Sequence, residues 1–259
     1  MKDVLRSMAM AFLMFSVVPM PRVEWKKENM RYMLACLPLV GVLIALAQQL
    51  WLLLCEVLGF GTLLYAAGLT LLPVLLSGGI HLDGFCDTVD ALSSHAEPAR
   101  KREILKDSHA GAFAMIFLAV YFIAAAALCA ELPRTRTAVL ALGIQQVLAR
   151  AVGALASVWF PGSTQTGLLA AFRDAAARRS AVVLALWIAA CAAALIALSP
   201  AGGIAAVLAA GLCIWYVYRM SRREFGGMSG DLAGFLITIS GAAMLLAQIA
   251  AERVTAIWF

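Results

Sequence analysis

The chain has 259 residues, 63% of them hydrophobic and only 14% charged. A soluble domain carries about 25% charged residues, so a water-soluble fold is excluded for want of polar cover. The formal net charge of +5 does not mark a nucleic-acid binder, because the basic residues sit between apolar spans, where they act as topology signals and phosphate contacts.

A bilayer core takes about 20 apolar residues per helix. The first apolar stretch, Met8 to Met20, is short and runs into Pro19-Met20-Pro21. It predicts an interfacial or re-entrant helix, with a true first span as the alternative. Lys2 and Arg6 form a thin basic start and no convincing small-residue cleavage site follows, so no cleavable signal peptide is expected. Uncharged runs from Tyr32 to Cys55 and from Val57 to about Gly79 predict two crossings. Glu56 between them reads as an interfacial helix end.

The densest polar segment comes next: Ser77-Gly78-Gly79-Ile80-His81-Leu82-Asp83-Gly84-Phe85-Cys86-Asp87-Thr88-Val89-Asp90. At about 100° per residue, a helix would set Asp83, Asp87 and Asp90 within roughly a 60° arc. Three carboxylates on one stripe repel one another where the dielectric is reduced. A hard divalent cation such as Mg²⁺ resolves the conflict. A solvated acidic face is the plain alternative, but no basic residue intersperses between Ser77 and Ala99. His81 could orient a phosphate, act as a base or serve structure alone; His95 reads as a bystander.

Lys106-Asp107-Ser108-His109-Ala110-Gly111 opens the next crossing, Ser108 to Ala130. Asp107 or Ser108 can cap that helix, and Lys106 beside them suits a phosphate. The crossing from about Thr137 to Phe160 holds one charge, Arg150, about 10 residues or roughly 15 Å from its end. A charge at that depth is costly, and a phosphate, an aspartate or snorkelling would relieve it. The uncharged run Ser180 to Tyr218 splits into two crossings at Ser199-Pro200-Ala201-Gly202-Gly203. Phe225-Gly226-Gly227-Met228-Ser229-Gly230-Asp231 then leads into the last crossing, about Leu232 to Ala251. Its glycines and Ser229 let backbone amides approach an anion, while Asp231 can cap or ligate a metal.

The predicted fold is thus all-α, a polytopic membrane helical bundle of about seven transmembrane helices plus an N-terminal interfacial or re-entrant helix, one catalytic domain over residues 1–259. Threading it gathers fourteen Lys and Arg residues in 21–31, 79–107, 161–179 and 219–231, against Arg134, Arg136 and Arg253 on the other side. The basic side should be cytoplasmic. It also collects eleven of the fifteen acids. The six cysteines form no C-x-x-C pair and read as buried thiols.

The acidic segment resembles the hallmark of the cobalamin synthases, the adenosylcobinamide-GDP ribazoletransferases. Val18-Pro19-Met20-Pro21, Leu37-Pro38-Leu39-Val40-Gly41, Lys106-Asp107-Ser108 with Gly111, and Gly226-Gly227-Met228-Ser229-Gly230-Asp231 match in the same order, over about residues 10 to 240. The chain departs from the family pattern at Ala91, often glycine, at His109, often arginine, and at Ser229, commonly threonine. The resemblance implies transfer of phosphate-linked cobinamide from its GDP ester to a hydroxyl of α-ribazole or its 5′-phosphate, releasing GMP, with Mg²⁺. Asp83, Asp87 and Asp90 would hold one or two Mg²⁺, and an aspartate or His81 would take the proton. Lys106, Asp107, Ser108, Arg150, Gly226, Gly227, Ser229, Gly230 and Asp231 would hold the substrate phosphates. It further implies the bacterial inner membrane with the site facing the cytoplasm, no nucleic acid, and a homo-oligomer or association with other corrinoid-pathway enzymes. An intramembrane prenyltransferase should carry two aspartate-rich motifs, and a CDP-alcohol phosphotransferase wants Ala-Arg after Asp-Gly-x-x; neither pattern is present. A secondary transporter would need ionisable groups near the midplane, where only Arg150 approaches.

Overall fold

The computed structural model describes residues 2–107, 109–163, 168–176 and 178–258. The described residues are helical almost throughout, as an apolar chain that must satisfy its own backbone in lipid requires. Among the described residues, six helices are long and apolar enough to cross a membrane. They are α3 (Met33–Leu58), α7 (Ala112–Glu131), α8 (Arg136–Trp159), α10 (Arg178–Leu198), α11 (Pro200–Glu224) and α12 (Gly230–Trp258). The remaining predicted crossing is α4 (Thr62–Ser77), only 16 residues and so about 24 Å long.

Helix α8 is the axis of the bundle, packed by α3, α10 and α12, whereas α7 and α10 turn most of their surface outward. Gly41 lets α3 touch α8 closely, since a Cβ there would lie 2.7 Å from the Val147 Cα. Small residues serve this purpose in lipid, where close backbone packing replaces the hydrophobic drive. Inside the bundle Gln145 Nε2 donates to Gln248 Oε1 at 2.5 Å, tying α8 to α12.

The N-terminal helix α1 (Lys2–Phe15) does not traverse the bundle. At 14 residues it is about 21 Å long, and Ser7 Oγ donates to the Asn29 carbonyl in α2 (Lys27–Met30). Val17 N then bonds to the Leu76 carbonyl at the end of α4. These anchors hold α1 against α2, the start of α3 and the end of α4, and it is not among the helices long enough to cross a membrane. The break predicted between α10 and α11 is tighter than a five-residue turn. Only Ser199 separates them, and Pro200 opens α11 at a position where its missing N–H costs nothing.

The basic loops meet on a single face. Lys101 Nζ in α6 (Pro98–Ile104) pairs with Glu224 Oε2 at 2.5 Å, Ser180 Oγ donates to the Arg31 carbonyl, and Met228 N donates to the Pro161 carbonyl. At the opposite end Arg134 reaches the Phe60 carbonyl and Arg253 pairs with Glu131. The six cysteines are free thiols, four buried and two, Cys86 and Cys213, half-buried.

Candidate active site

Helix α4 ends at Gly78 and Gly79, with φ of +65° and +78°. Two consecutive left-handed residues are cheap only for glycine. Gly78 N and Gly79 N close the helix on the Leu75 and Val74 carbonyls. The chain then leaves at 94° as α5 (Ile80–Ser93), which packs against α12 and α7. Its apolar side, with Phe85, Val89 and Ala91, is buried. Phe85 stacks on Phe235 of α12 at 5.8 Å and meets Tyr121 of α7 at 5.6 Å. That packing leaves the aspartate stripe on the other side, Asp83 exposed, Asp87 and Asp90 half-buried.

Helix α12 brings Asp231, at the end of the glycine turn, to the aspartate segment of α5. A Cβ on Gly84 would lie 2.7 Å from the Asp231 carbonyl oxygen, and one on Gly234 would lie 2.8 Å from that of His81. The two backbones therefore touch, and Thr238 Oγ1 donates to the His81 carbonyl at 3.2 Å. Asp231 thereby joins the acidic group. Burial first, then the Asp83, Asp231 and Asp90 carboxylates, push Asp87 up to about 6.

Asp83, Asp231 and Lys106 line one cavity of about 420 Å³ with His81, Arg173 and Phe15. Ser229 and Gly230 are on its wall. Ser229 Oγ also caps α12, accepting from Leu232 N at 3.2 Å. Gly226 and Gly227 are not on that wall. A Cβ on Gly227 would run into the Gly162 backbone at 2.5 Å, so the glycine pair lets this turn lie against residues 161–163, where Ser163 N donates to the Met228 carbonyl. Asp107 turns to solvent and accepts from His109 N and the His109 ring at 3.0 and 2.8 Å. Those bonds hold its carboxyl below the usual range. The expectation for Ser108 falls outside the described residues.

Asp83, Asp87 and Asp90 do not close on one ion. Asp83 and Asp90 are seven residues, about 10 Å, apart along α5. The Asp90 carboxylate covers Gly111 and faces the amino end of α7, accepting from Ala114 N at 3.4 Å. Among the described residues no three of His, Cys, Asp and Glu stand close enough to hold a metal by themselves. Mg²⁺ does not require that, since it takes one or two carboxylates and completes its shell with water and substrate phosphate. Asp83 and Asp231, hard oxygen donors on one cavity wall, fit that demand. Arg150 lies elsewhere, in a second cavity that shares only His81 and Ile237 with the first.

The sequence model of the cobalamin-5-phosphate synthase family matches residues 7–249. The chain belongs to that family. It is 35% identical to the adenosylcobinamide-GDP ribazoletransferase of Lachnoclostridium phytofermentans over 249 residues, covering 94% of this chain and 95% of the relative. Proteins of the same name from Geobacillus thermodenitrificans (31% identical, 92% of each chain) and Clostridium botulinum Alaska E43 (28%, 92% and 95%) are also similar. No solved structure shows a significant match. Sequence reasoning missed Arg173 of α9 (Leu168–Ala175), Ser163 and Phe15. Arg173 entered only as one positive charge of the topology count, and nothing in its local pattern points toward the cavity.

Proposed function

We propose that the chain joins adenosylcobinamide-GDP to α-ribazole, or to α-ribazole 5′-phosphate, releasing GMP and forming adenosylcobalamin or its 5′-phosphate. Family membership and the shared name of its relatives support the reaction. The observation that carries the chemistry is the α5–α12 crossing, which sets Asp83 and Asp231 on one wall with Lys106 and Arg173. Carboxylates for a dication and fixed cations for a diphosphate are what transfer at phosphorus needs.

Asp83 and Asp231 would hold Mg²⁺, which when bound neutralises diphosphate charge and stabilises the departing GMP oxygen. Lys106 and Arg173 grip the phosphate oxygens and orient the donor. A ribose hydroxyl oxygen attacks the phosphorus that carries cobinamide. As that bond forms, the bond from this phosphorus to the oxygen bridging to GMP breaks, and GMP leaves with that oxygen. The hydroxyl proton passes to a carboxylate oxygen of Asp87, whose surroundings raise its proton affinity toward neutrality. The bacterial inner membrane, with this face toward the cytoplasm, fits the excess of basic residues there. Association with other corrinoid-pathway enzymes would deliver substrates to the same face.

The test is GMP release from adenosylcobinamide-GDP and α-ribazole by the purified protein. Release should stop on chelation and return with Mg²⁺. Asp87→Asn should lower kcat by roughly 10²- to 10⁴-fold, while Asp231→Asn should raise the half-saturating Mg²⁺ concentration roughly tenfold or more. Full activity of Asp87→Asn, or release indifferent to chelation, would refute the mechanism.

A further inference from the structure

Behind the catalytic cavity lies a smaller one of about 70 Å³, within the bundle between α4, α7, α8 and α12. Its polar lining is Thr70, Ser77, Tyr121, Gln146, Arg150 and Thr238, and His81 forms the wall it shares with the catalytic cavity. Arg150 is 2% exposed and sits nine residues, about 14 Å, from the end of α8. Its Nη1 donates to the carbonyl and to Oε1 of Gln146, both at 3.0 Å. Both acceptors are neutral. Arg150 Nε and His81 Nε2 are buried with no partner among the described residues. No carboxylate lines the cavity, and Arg150 forms no ion pair among the described residues.

A guanidinium keeps its proton in proteins, so this charge cannot be relieved by neutralisation. Left unmatched inside a bundle it costs several kcal/mol. One water needs about 10–15 Å³ of such space, so the cavity admits an ion a few waters in size and excludes a nucleoside diphosphate. We propose that it binds one small inorganic anion, chloride or phosphate, as the counter-charge of Arg150. Tyr121 and the Gln146 amide supply neutral donors around it. The anion is separated from the transferred phosphates by His81, so its role is to hold the bundle and the His81 wall, and the proposal stands independently of the reaction assigned above.

Thermal unfolding of the purified protein in potassium gluconate, chloride and phosphate at one ionic strength tests this, gluconate being too large to enter. A saturable rise of roughly 3 °C over gluconate is expected in whichever of the two small ions binds, and it should vanish in Arg150→Met. Chloride NMR line broadening on the unmodified protein, competed by phosphate if phosphate is the better ligand, reads occupancy even if that variant does not fold. Equal stability in all three salts without saturable broadening would mean a water-filled cavity and overturn the proposal. Anion dependence that persists in Arg150→Met would do the same. So would a raised KM for the GDP-linked donor in Arg150→Met without any salt effect, since the substrate's own phosphate would then be the partner.

Discussion

Asp87 is held between burial and three other carboxylates, and this has a cost in stability alongside the proton transfer proposed for it. Its carboxyl titrates near 3.8 unfolded and at about 6 in the folded protein. The folded state therefore holds the proton more tightly, and stability falls as pH rises from about 4 to about 6, staying low above. In Mg²⁺-free buffer at pH 7, Asp87→Asn should melt several degrees above the parent chain, and the gap should close near pH 4. An inactive but more stable variant is the expected signature of a strained acidic centre. Lys101 offers the opposite case. Its ammonium is nearly buried against the partly covered Glu224, so Lys101→Met leaves that carboxylate with only the exposed Arg223 beside it. A loss of about 2 kcal/mol is expected, largely restored by adding Glu224→Gln, as chemical denaturation of the single and double variants would show.

At the scale of elements, the corner between α4 and α5 and the crossing of α5 over α12 decide the site. Gly79 has open space around its absent Cβ, so its φ of +78° alone demands glycine there. Gly79→Ala should cost about 1 kcal/mol of strain and little else. Gly84 has an ordinary position in the helix but no room, because any Cβ would press on the Asp231 backbone. Gly84→Val should cost about 1–3 kcal/mol and, by moving Asp231, should raise the Mg²⁺ requirement for GMP release while Gly79→Ala leaves it unchanged. The two glycines look alike in sequence, and this pair of measurements separates their reasons.

For the whole molecule, the two polar faces set the test. If the face carrying α5, α6 and the glycine turn is cytoplasmic, an impermeant maleimide applied to intact cells should label Arg134→Cys and spare His95→Cys, and inverted vesicles should reverse the pattern. Labelling of both from outside would contradict the orientation that the basic residues imply.

Composition and the spacing of apolar runs determined the all-α membrane bundle, because a chain this poor in charge has no other way to satisfy its backbone and its side chains together. The aspartate segment, the glycine turn and Lys106 were likewise visible as polar departures from an apolar background. What only the tertiary structure decided is which of these residues face one another. A helical stripe fixes direction but not distance, so Asp90 went to the amino end of α7 while Asp231, from the far end of the chain, came to Asp83. Arg173 and Phe15 reached the cavity, and Arg150 was set behind it, through contacts between helices that no local pattern encodes.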